Sequence, residues 1–303
     1  MRVPAPGRII GGLHVQIEGR GGPVVVLEAG IAASSVSWSL VQKRISEFTT
    51  FLSYDRAGFG WSEPGAGRGT AREAADELAE MLTRSGLPGP YVLVGHSFGG
   101  LIARIFQQEH PESVSGLVLV DPVVRDEWRD LSEQRRRMLG RGVTLSRRGA
   151  FLARIGVVRV ALKLLTSGSR RIPKLLARAS AGKGASVTDR LVGEVRKMPR
   201  EHWPAIAAHW SEARSFRAMA NNLEQLPASV RQLDENRSLG DVPVVVLSAA
   251  KAIAEHARDA ALSTQGEHVV VPGSGHWMQL DAPEAVVAAV LRVVSRIRQA
   301  EGC

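Results

Sequence analysis

Gly95-His96-Ser97-Phe98-Gly99 places a serine between two glycines at a spacing that suggests covalent chemistry. The apolar run Tyr91–Val94 leads into it and a helical pattern to about Gln108 leads out, so Ser97 falls in a strand-to-helix turn. A side chain in so sharp a turn has strained backbone angles. Gly95 and Gly99 are needed because side chains there would collide with the strand and the helix. The turn lifts Oγ above the sheet edge at a helix N-terminus, where backbone N–H groups stabilise a developing anion. Such a pentapeptide arises often by chance; between this strand and this helix it points to a nucleophile.

A serine hydroxyl is a weak nucleophile near neutral pH and needs a general base. The sequence has eight histidines. His276 lies in Gly273-Ser274-Gly275-His276-Trp277, a glycine-rich loop directly after the last strand pattern. Active-site groups collect at the carboxyl ends of parallel strands, so His276 is the expected base. His96, inside the turn, is expected to make structural contacts. His14, His110, His202, His209, His256 and His268 have no catalytic surroundings and are expected at the surface or in the core. No metal-ligand spacing, GxGxxG fingerprint or phosphate loop occurs, so no metal or cofactor is expected.

The elements that must carry these residues alternate along the chain. Gly7–Ile10 and Leu13–Glu18 read as a hairpin about Gly11-Gly12, and Pro23–Glu28 as a buried β-branched strand. Phe51–Tyr54 is a short strand. Ala74, Leu78, Met81 and Leu82 recur at helical spacing between Thr70 and Ser85, with Gly86 as the stop. Gly116–Val120 ends in Asp121-Pro122. The strand signal then lapses for more than a hundred residues, whose helical patterns are interrupted at Gly140, Gly168, Pro173, Gly182-Lys183-Gly184 and Pro199. It resumes at Val242–Leu247, followed by a helix over Ile253–Ser263, a strand at His268–Val271 and a helix from Pro283 to about Arg298. This rhythm implies an α/β domain with a parallel sheet, built from residues 1–121 and 236–303, and a helical insertion over 122–235.

Composition narrows the class. With 44% hydrophobic and 23% charged residues in 303, the chain is neither disordered nor fibrous. No apolar run is long enough to span a membrane. The first twenty residues lack the apolar core of a secretory signal, and one cysteine, Cys303, rules out an internal disulfide. A cytoplasmic enzyme is the expectation. The net charge of +9 is unevenly spread: residues 122–235 hold 23 Lys and Arg against 11 Asp and Glu, and the rest of the chain is slightly acidic. Basic character without a recognised binding motif makes a nucleic-acid role unexpected.

Together, VVLEAG, SYDRAGFGWS, YVLVGHSFGG, GLVLVDP and GSGHWMQLDAPEAV make the chain resemble the α/β-hydrolase family in its serine-nucleophile, esterase- and lipase-like form. The resemblance covers nearly all of the sheet domain and is specific for fold and catalytic type. It implies a mostly parallel central sheet with helices on both faces, an inserted helical lid, and a triad in the chain order nucleophile, acid, histidine. Nucleophile and base then fall on Ser97 and His276. The sequence departs from the family at the acid, because the usual loop reads Ser248-Ala249-Ala250-Lys251-Ala252 and holds no carboxylate. Asp121, ending the strand after the nucleophile's helix, is the expected acid, since some members place it there. Glu255 and Asp259, read as solvated helix carboxylates, are the alternatives. The resemblance also implies an oxyanion hole from the Phe98 and Ile31 backbone N–H groups, with Gly30 allowing close approach and Ala29 standing where the family has histidine. Asp55-Arg56-Ala57-Gly58-Phe59-Gly60-Trp61-Ser62 and Asp281-Ala282-Pro283-Glu284 match family segments expected to be structural.

The implied activity is a cofactor-independent hydrolase of a carboxylic ester or related acyl compound. In it Ser97 attacks, His276 moves the proton and Asp121 orients His276. Serine at this turn argues against epoxide and haloalkane hydrolysis, which in this fold use a carboxylate nucleophile. A lidded binding protein or sensor with slow turnover, or an acyltransferase, is the alternative. A small acyl molecule is the expected partner. Phe151–Leu165, which mixes Leu152, Ile155, Val158, Leu164 and Leu165 with Arg154, Arg159 and Lys163, is expected to be a lid helix over the acyl pocket, with membrane-surface contact as the second reading. Trp203, Trp210, Phe216 and Met219 are candidates for pocket lining or lid core.

Overall fold

The computed structural model describes residues 3–166 and 197–302. Its centre is an eight-stranded sheet formed by β1 (Arg8–Ile10), β2 (Leu13–Glu18), β3 (Val25–Glu28), β4 (Phe51–Tyr54), β5 (Tyr91–His96), β6 (Val114–Val120), β7 (Val244–Ser248) and β8 (Gly266–Val270). The order is β1-β2-β4-β3-β5-β6-β7-β8. The β1–β2 and β2–β4 pairings are antiparallel and the other five are parallel, so β2 alone runs against the rest of this sheet. From β3 the chain crosses to β4 on one side and then returns to β5 on the other. The carboxyl ends of β3 and β5 therefore flank the point where winding reverses, where crevices open in such sheets.

The inner strands are apolar on both faces because both faces are covered. On one side Leu78, Met81, Ile102 and Phe106 of α2 (Ala71–Ser85) and α3 (Phe98–Glu109) pack on Val26, Leu93 and Leu119. On the other, Trp38, Val41, Ile45 and Val290 pack on Val25, Leu27 and Val94. Helix α2 starts with a reciprocal cap: the Glu73 N–H donates to Thr70 Oγ1 (3.2 Å) and the Thr70 N–H to Glu73 Oε2 (3.0 Å). It ends at Gly86 with φ +70°.

Several expectations need correction. A turn at Ser35–Trp38 and helix α1 (Ser39–Ile45) occupy a stretch where no element was expected. Their signal is only Trp38, Val41 and Ile45 at helical spacing, too short a pattern to stand out. Strand β8 starts two residues before the expected one. Between β6 and β7 the described elements are helical: α4 (Arg125–Arg129), α5 (Glu133–Arg154), α6 (Val157–Thr166), α7 (Trp203–Trp210) and α8 (Ala213–Gln232). Gly140 interrupts nothing, since α5 runs through it and through Gly142 and Gly149. A Cβ on Gly149 would lie 2.5 Å from Phe216 Cδ1, so that glycine lets α8 lie close. The expected helix over Phe151–Leu165 is two helices, divided at Gly156 with φ +81°. Pro199 does mark a boundary, ahead of a short turn at Arg200–His202. Gly168, Pro173 and Gly182-Lys183-Gly184 lie outside the described residues.

The remaining elements are α9 (Ile253–Ala260), α10 (Met278–Asp281) and α11 (Pro283–Glu301). Ile206, Met198 and Trp210 pack with Val36, Leu280 and Trp277 in a small cluster, while Leu226 and Val230 of α8 join the main core beside α2. Phe216, half-buried, packs edge-on to Trp210 with ring centres 5.1 Å apart.

Candidate active site

Strand β5 ends at His96 and α3 begins at Phe98, leaving Ser97 to make the turn with φ +53° and ψ −117°. Few residues with a Cβ adopt such angles, and they persist only where surroundings enforce them. Here the enforcement is close packing. A Cβ on Gly95 would sit 2.4 Å from Gly99 O, and one on Gly99 would sit 2.3 Å from Glu28 O. The Ser97 N–H donates to Val120 O of the adjacent strand (3.0 Å).

His276 comes from the loop after β8, and its Nε2 lies 3.0 Å from Ser97 Oγ. Its Nδ1 lies 2.6 Å from Asp121 Oδ2. With Nδ1–H donating to the carboxylate, Nε2 is left to accept the serine proton. Asp121 directly follows β6 with φ +43°, a left-handed conformation that aspartate tolerates better than most residues. Its Oδ1 accepts the Ala249 N–H (3.0 Å). Burial pushes the Asp121 carboxyl up, but the hydrogen bond and charge of His276 and the Ala249 N–H outweigh it and hold the group below its ordinary value.

The alternative acids are engaged elsewhere. Asp259 Oδ1 pairs with Arg104 (2.9 Å) and Arg125 (2.6 Å), and Glu255 accepts the Arg125 N–H. Both are buried rather than solvated, because α9 packs them against these arginines. The loop that lacks its carboxylate is held by a histidine pair. His268 Nε2 and His256 Nδ1 each lie 2.7 Å from Ser248 Oγ, and His256 Nε2 donates to Pro122 O (3.0 Å). His256 is thus tied beside Asp121.

His96 holds the backbone of the His276 loop. Its Nε2–H donates to the His276 carbonyl (2.8 Å), and Gln279 Nε2 lies 3.3 Å from its Nδ1. Burial foremost, and then the neighbouring His276 charge, push His96 down to about 3, so it is neutral. Asp281 ends α10 rather than opening the last helix, whose cap position is Ala282. Its Oδ2 accepts the Gly275 N–H (2.9 Å), steadying the His276 loop, and its Oδ1 meets Lys197 Nζ (2.6 Å).

The Phe98 N–H, at the first position of α3, has no acceptor within the helix. The loop after β3 runs beside it, since a Cβ on Gly30 would lie 3.4 Å from Ser97 Cβ and 2.9 Å from His96 Nδ1. Arg56, buried with Glu28, donates Nη2 to Gly30 O (2.6 Å) and Nη1 to Ala29 O. The Gly30 carbonyl and the Ile31 N–H belong to one trans peptide and point in opposite directions. Holding the carbonyl under Arg56 therefore fixes where the Ile31 N–H points. Asp55, the other charged member of that segment, pairs with His14 (2.9 Å) and accepts the Ser35 N–H (2.7 Å). Arg56, His96 and Asp281 make the structural contacts expected of them; the backbone groups they hold, Gly30 O, His276 O and the Gly275 N–H, were not foreseen.

The profile of the alpha/beta hydrolase family matches residues 24–289. Among characterised and uncharacterised relatives, YqjL of Bacillus subtilis (strain 168), an uncharacterised protein, is 32% identical over 109 residues, 36% of this chain and 43% of YqjL. Lipase LipV of Mycobacterium tuberculosis is 37% identical over 113 residues, 37% of this chain and 42% of LipV. Each match thus spans less than half of the relative. The solved structure of epoxide hydrolase CorEH aligns at a TM-score of 0.69 with 17% identity, covering 96% of this chain and 98% of that one, and shares the fold.

Proposed function

The chain belongs to the alpha/beta hydrolase family, and from that premise we propose that it is a serine hydrolase of carboxylic esters or related acyl compounds, acting without a cofactor. One observation carries the reading: the continuous line from Ser97 Oγ through His276 (3.0 Å) to Asp121 (2.6 Å). In this scheme His276 Nε2 removes the Ser97 proton as Oγ attacks the acyl carbon, and Asp121 stabilises the imidazolium. The Phe98 and Ile31 N–H groups face the oxyanion, a contribution typically worth about 100- to 1000-fold in rate per donor. His276 then protonates the leaving group. Water, activated by the same imidazole, releases the acyl group from Ser97. Residues 122–235 act as a lid that selects a small acyl substrate.

Labelling with a fluorophosphonate tests the reading. The wild-type protein is expected to label once, and Ser97→Ala and His276→Ala each to abolish labelling while leaving the thermal melt in place. A folded wild-type protein that does not label would overturn the catalytic reading in favour of a lidded binding protein.

A further inference from the structure

We propose that the elbow between α5 and α6 docks on an anionic lipid bilayer. Residues 134–166 carry nine Lys and Arg and no Asp or Glu. Helix α5 buries Leu139, Val143, Ser146, Ala150 and Ala153 along one side. At helical spacing on the opposite side stand Arg141, Thr144, Arg148, Phe151 and Ile155, all exposed. The chain then bends at Gly156, and Arg159 and Val160 follow, also exposed.

Two features of this tip need explaining together. Its cations are only partly neutralised within the protein. Arg135 pairs with Glu127, Arg137 with Glu133 and Arg147 with Glu224, but no ion pair reaches Arg141, Arg148, Arg154 or Arg159 among the described residues. Its apolar side chains are left in water as well: Phe151 is 63% exposed, Ile155 57% and Val160 57%. Half of the large hydrophobic side chains so exposed among the described residues lie between Met138 and Val160. A nucleic acid would answer the charge and leave Phe151, Ile155 and Val160 in water. An anionic bilayer answers both, with lipid headgroups meeting the arginines and the interfacial acyl region accepting the apolar tip. No helix among the described residues is long and apolar enough to cross a membrane, so the contact is one of surface docking. It is independent of the substrate.

The full-length protein is sedimented with phosphatidylcholine vesicles, with and without phosphatidylglycerol. Binding is expected only with phosphatidylglycerol and is expected to weaken as salt rises. Substituting Arg148→Gln, Arg154→Gln and Arg159→Gln together should lower partitioning by about 100-fold. Phe151→Ser with Ile155→Ser should lower it by about tenfold or more. Arg8→Gln, Arg20→Gln and Lys43→Gln, an equal loss of charge elsewhere, should leave it in place. Absence of binding to the anionic vesicles, or binding indifferent to both tip variants, overturns the proposal. So does capture of a DNA duplex that needs the three arginines, ignores Phe151 and Ile155, and competes vesicles away.

Discussion

Asp121→Asn separates the proposed acid from the carboxylates of α9. The fold should survive the change, because asparagine tolerates the left-handed φ of +43° at this position. The Ala249 N–H, 3.0 Å from Oδ1, selects the amide oxygen as its acceptor. The amide nitrogen then faces His276 Nδ1 at the position now occupied by Oδ2, 2.6 Å away. Two donors cannot share that contact, so Nδ1 gives up its proton and Nε2 carries it instead. An Nε2–H aimed at Ser97 Oγ cannot accept the serine proton. Loss of the correct tautomer costs about 10⁴-fold in kcat in the best-studied serine triad, ~5.5 kcal/mol of barrier. KM should change little. Asp259→Asn has the reverse profile. It leaves Arg104 and Arg125 without their shared partner and should cost ~3–5 kcal/mol of stability, with kcat per folded molecule nearly unchanged. Turnover of a nitrophenyl acyl ester, normalised to folded protein, together with urea denaturation of both variants, measures the contrast. If Asp121→Asn keeps more than about a tenth of wild-type kcat, or Asp259→Asn loses as much as Asp121→Asn, the assignment of the acid is wrong.

Two further substitutions probe the frame of the site. His96 is pushed down to about 3 in the folded protein, against about 6.5 when unfolded. As pH falls the unfolded chain takes the proton first, so the stability from neutral His96 is complete above about pH 6.5 and is lost toward about pH 3, at up to ~1.4 kcal/mol per pH unit. His96→Asn, which keeps a donor for the His276 carbonyl, should flatten that dependence in urea melts between about pH 6 and about pH 4; parallel slopes would show that His96 is not held neutral. Gly99→Ala drives a Cβ to 2.3 Å from Glu28 O and 2.8 Å from Ala29 O, both backbone, and should cost more than ~3 kcal/mol. Gly140→Ala, with nothing within 4 Å inside α5, should instead stabilise by ~0.5–1 kcal/mol in the same thermal and urea melts.

The contrast between those two glycines shows what the sequence could and could not convey. The places of Ser97 and Asp121 were legible because each directly follows a buried strand, and a run such as Val-Leu-Val-Gly or Leu-Val-Leu-Val announces both the strand and where it stops. His276 stood out instead by its glycine-rich loop after β8, a strand that is not buried. Phe98 and Ile31 followed by resemblance from their place after Ser97 and Gly30. Gly140 read as a helix breaker because a sequence window weighs only the backbone, and Gly149 carried no signal at all. The reason for Gly149 is Phe216, 67 positions away and across a helix interface. Structural roles for Arg56, His96 and Asp281 were expected, but their partners were hidden in the same way. Each acts on a backbone group, Gly30 O, His276 O or the Gly275 N–H, and a backbone group leaves no mark on residue type. The burial of Asp259 was missed because its partners, Arg104 and Arg125, sit on two other helices.

The absent carboxylate after β7 is compensated by geometry rather than by a nearby substitute. Strands β6 and β7 are adjacent and parallel, with Val120 in register with Leu247, so their carboxyl ends share one rim. An acid can sit on either end and reach the same imidazole, provided the other end does not repel it. Here the β7 end supplies a donor, the Ala249 N–H, where the common pattern supplies a charge. Keeping that N–H in place requires an ordered loop. Ser248, tied to His256 and His268, provides the order, and His256, tied to Pro122 O, joins it to the residue after Asp121. The left-handed turn at Asp121 completes the arrangement by swinging the carboxylate off the strand axis toward His276. A carboxylate restored at Ala249 would set a second negative charge against Asp121 and compete for one imidazole. On the proposed assignment, the Asp121 site and the empty β7 loop are therefore one feature.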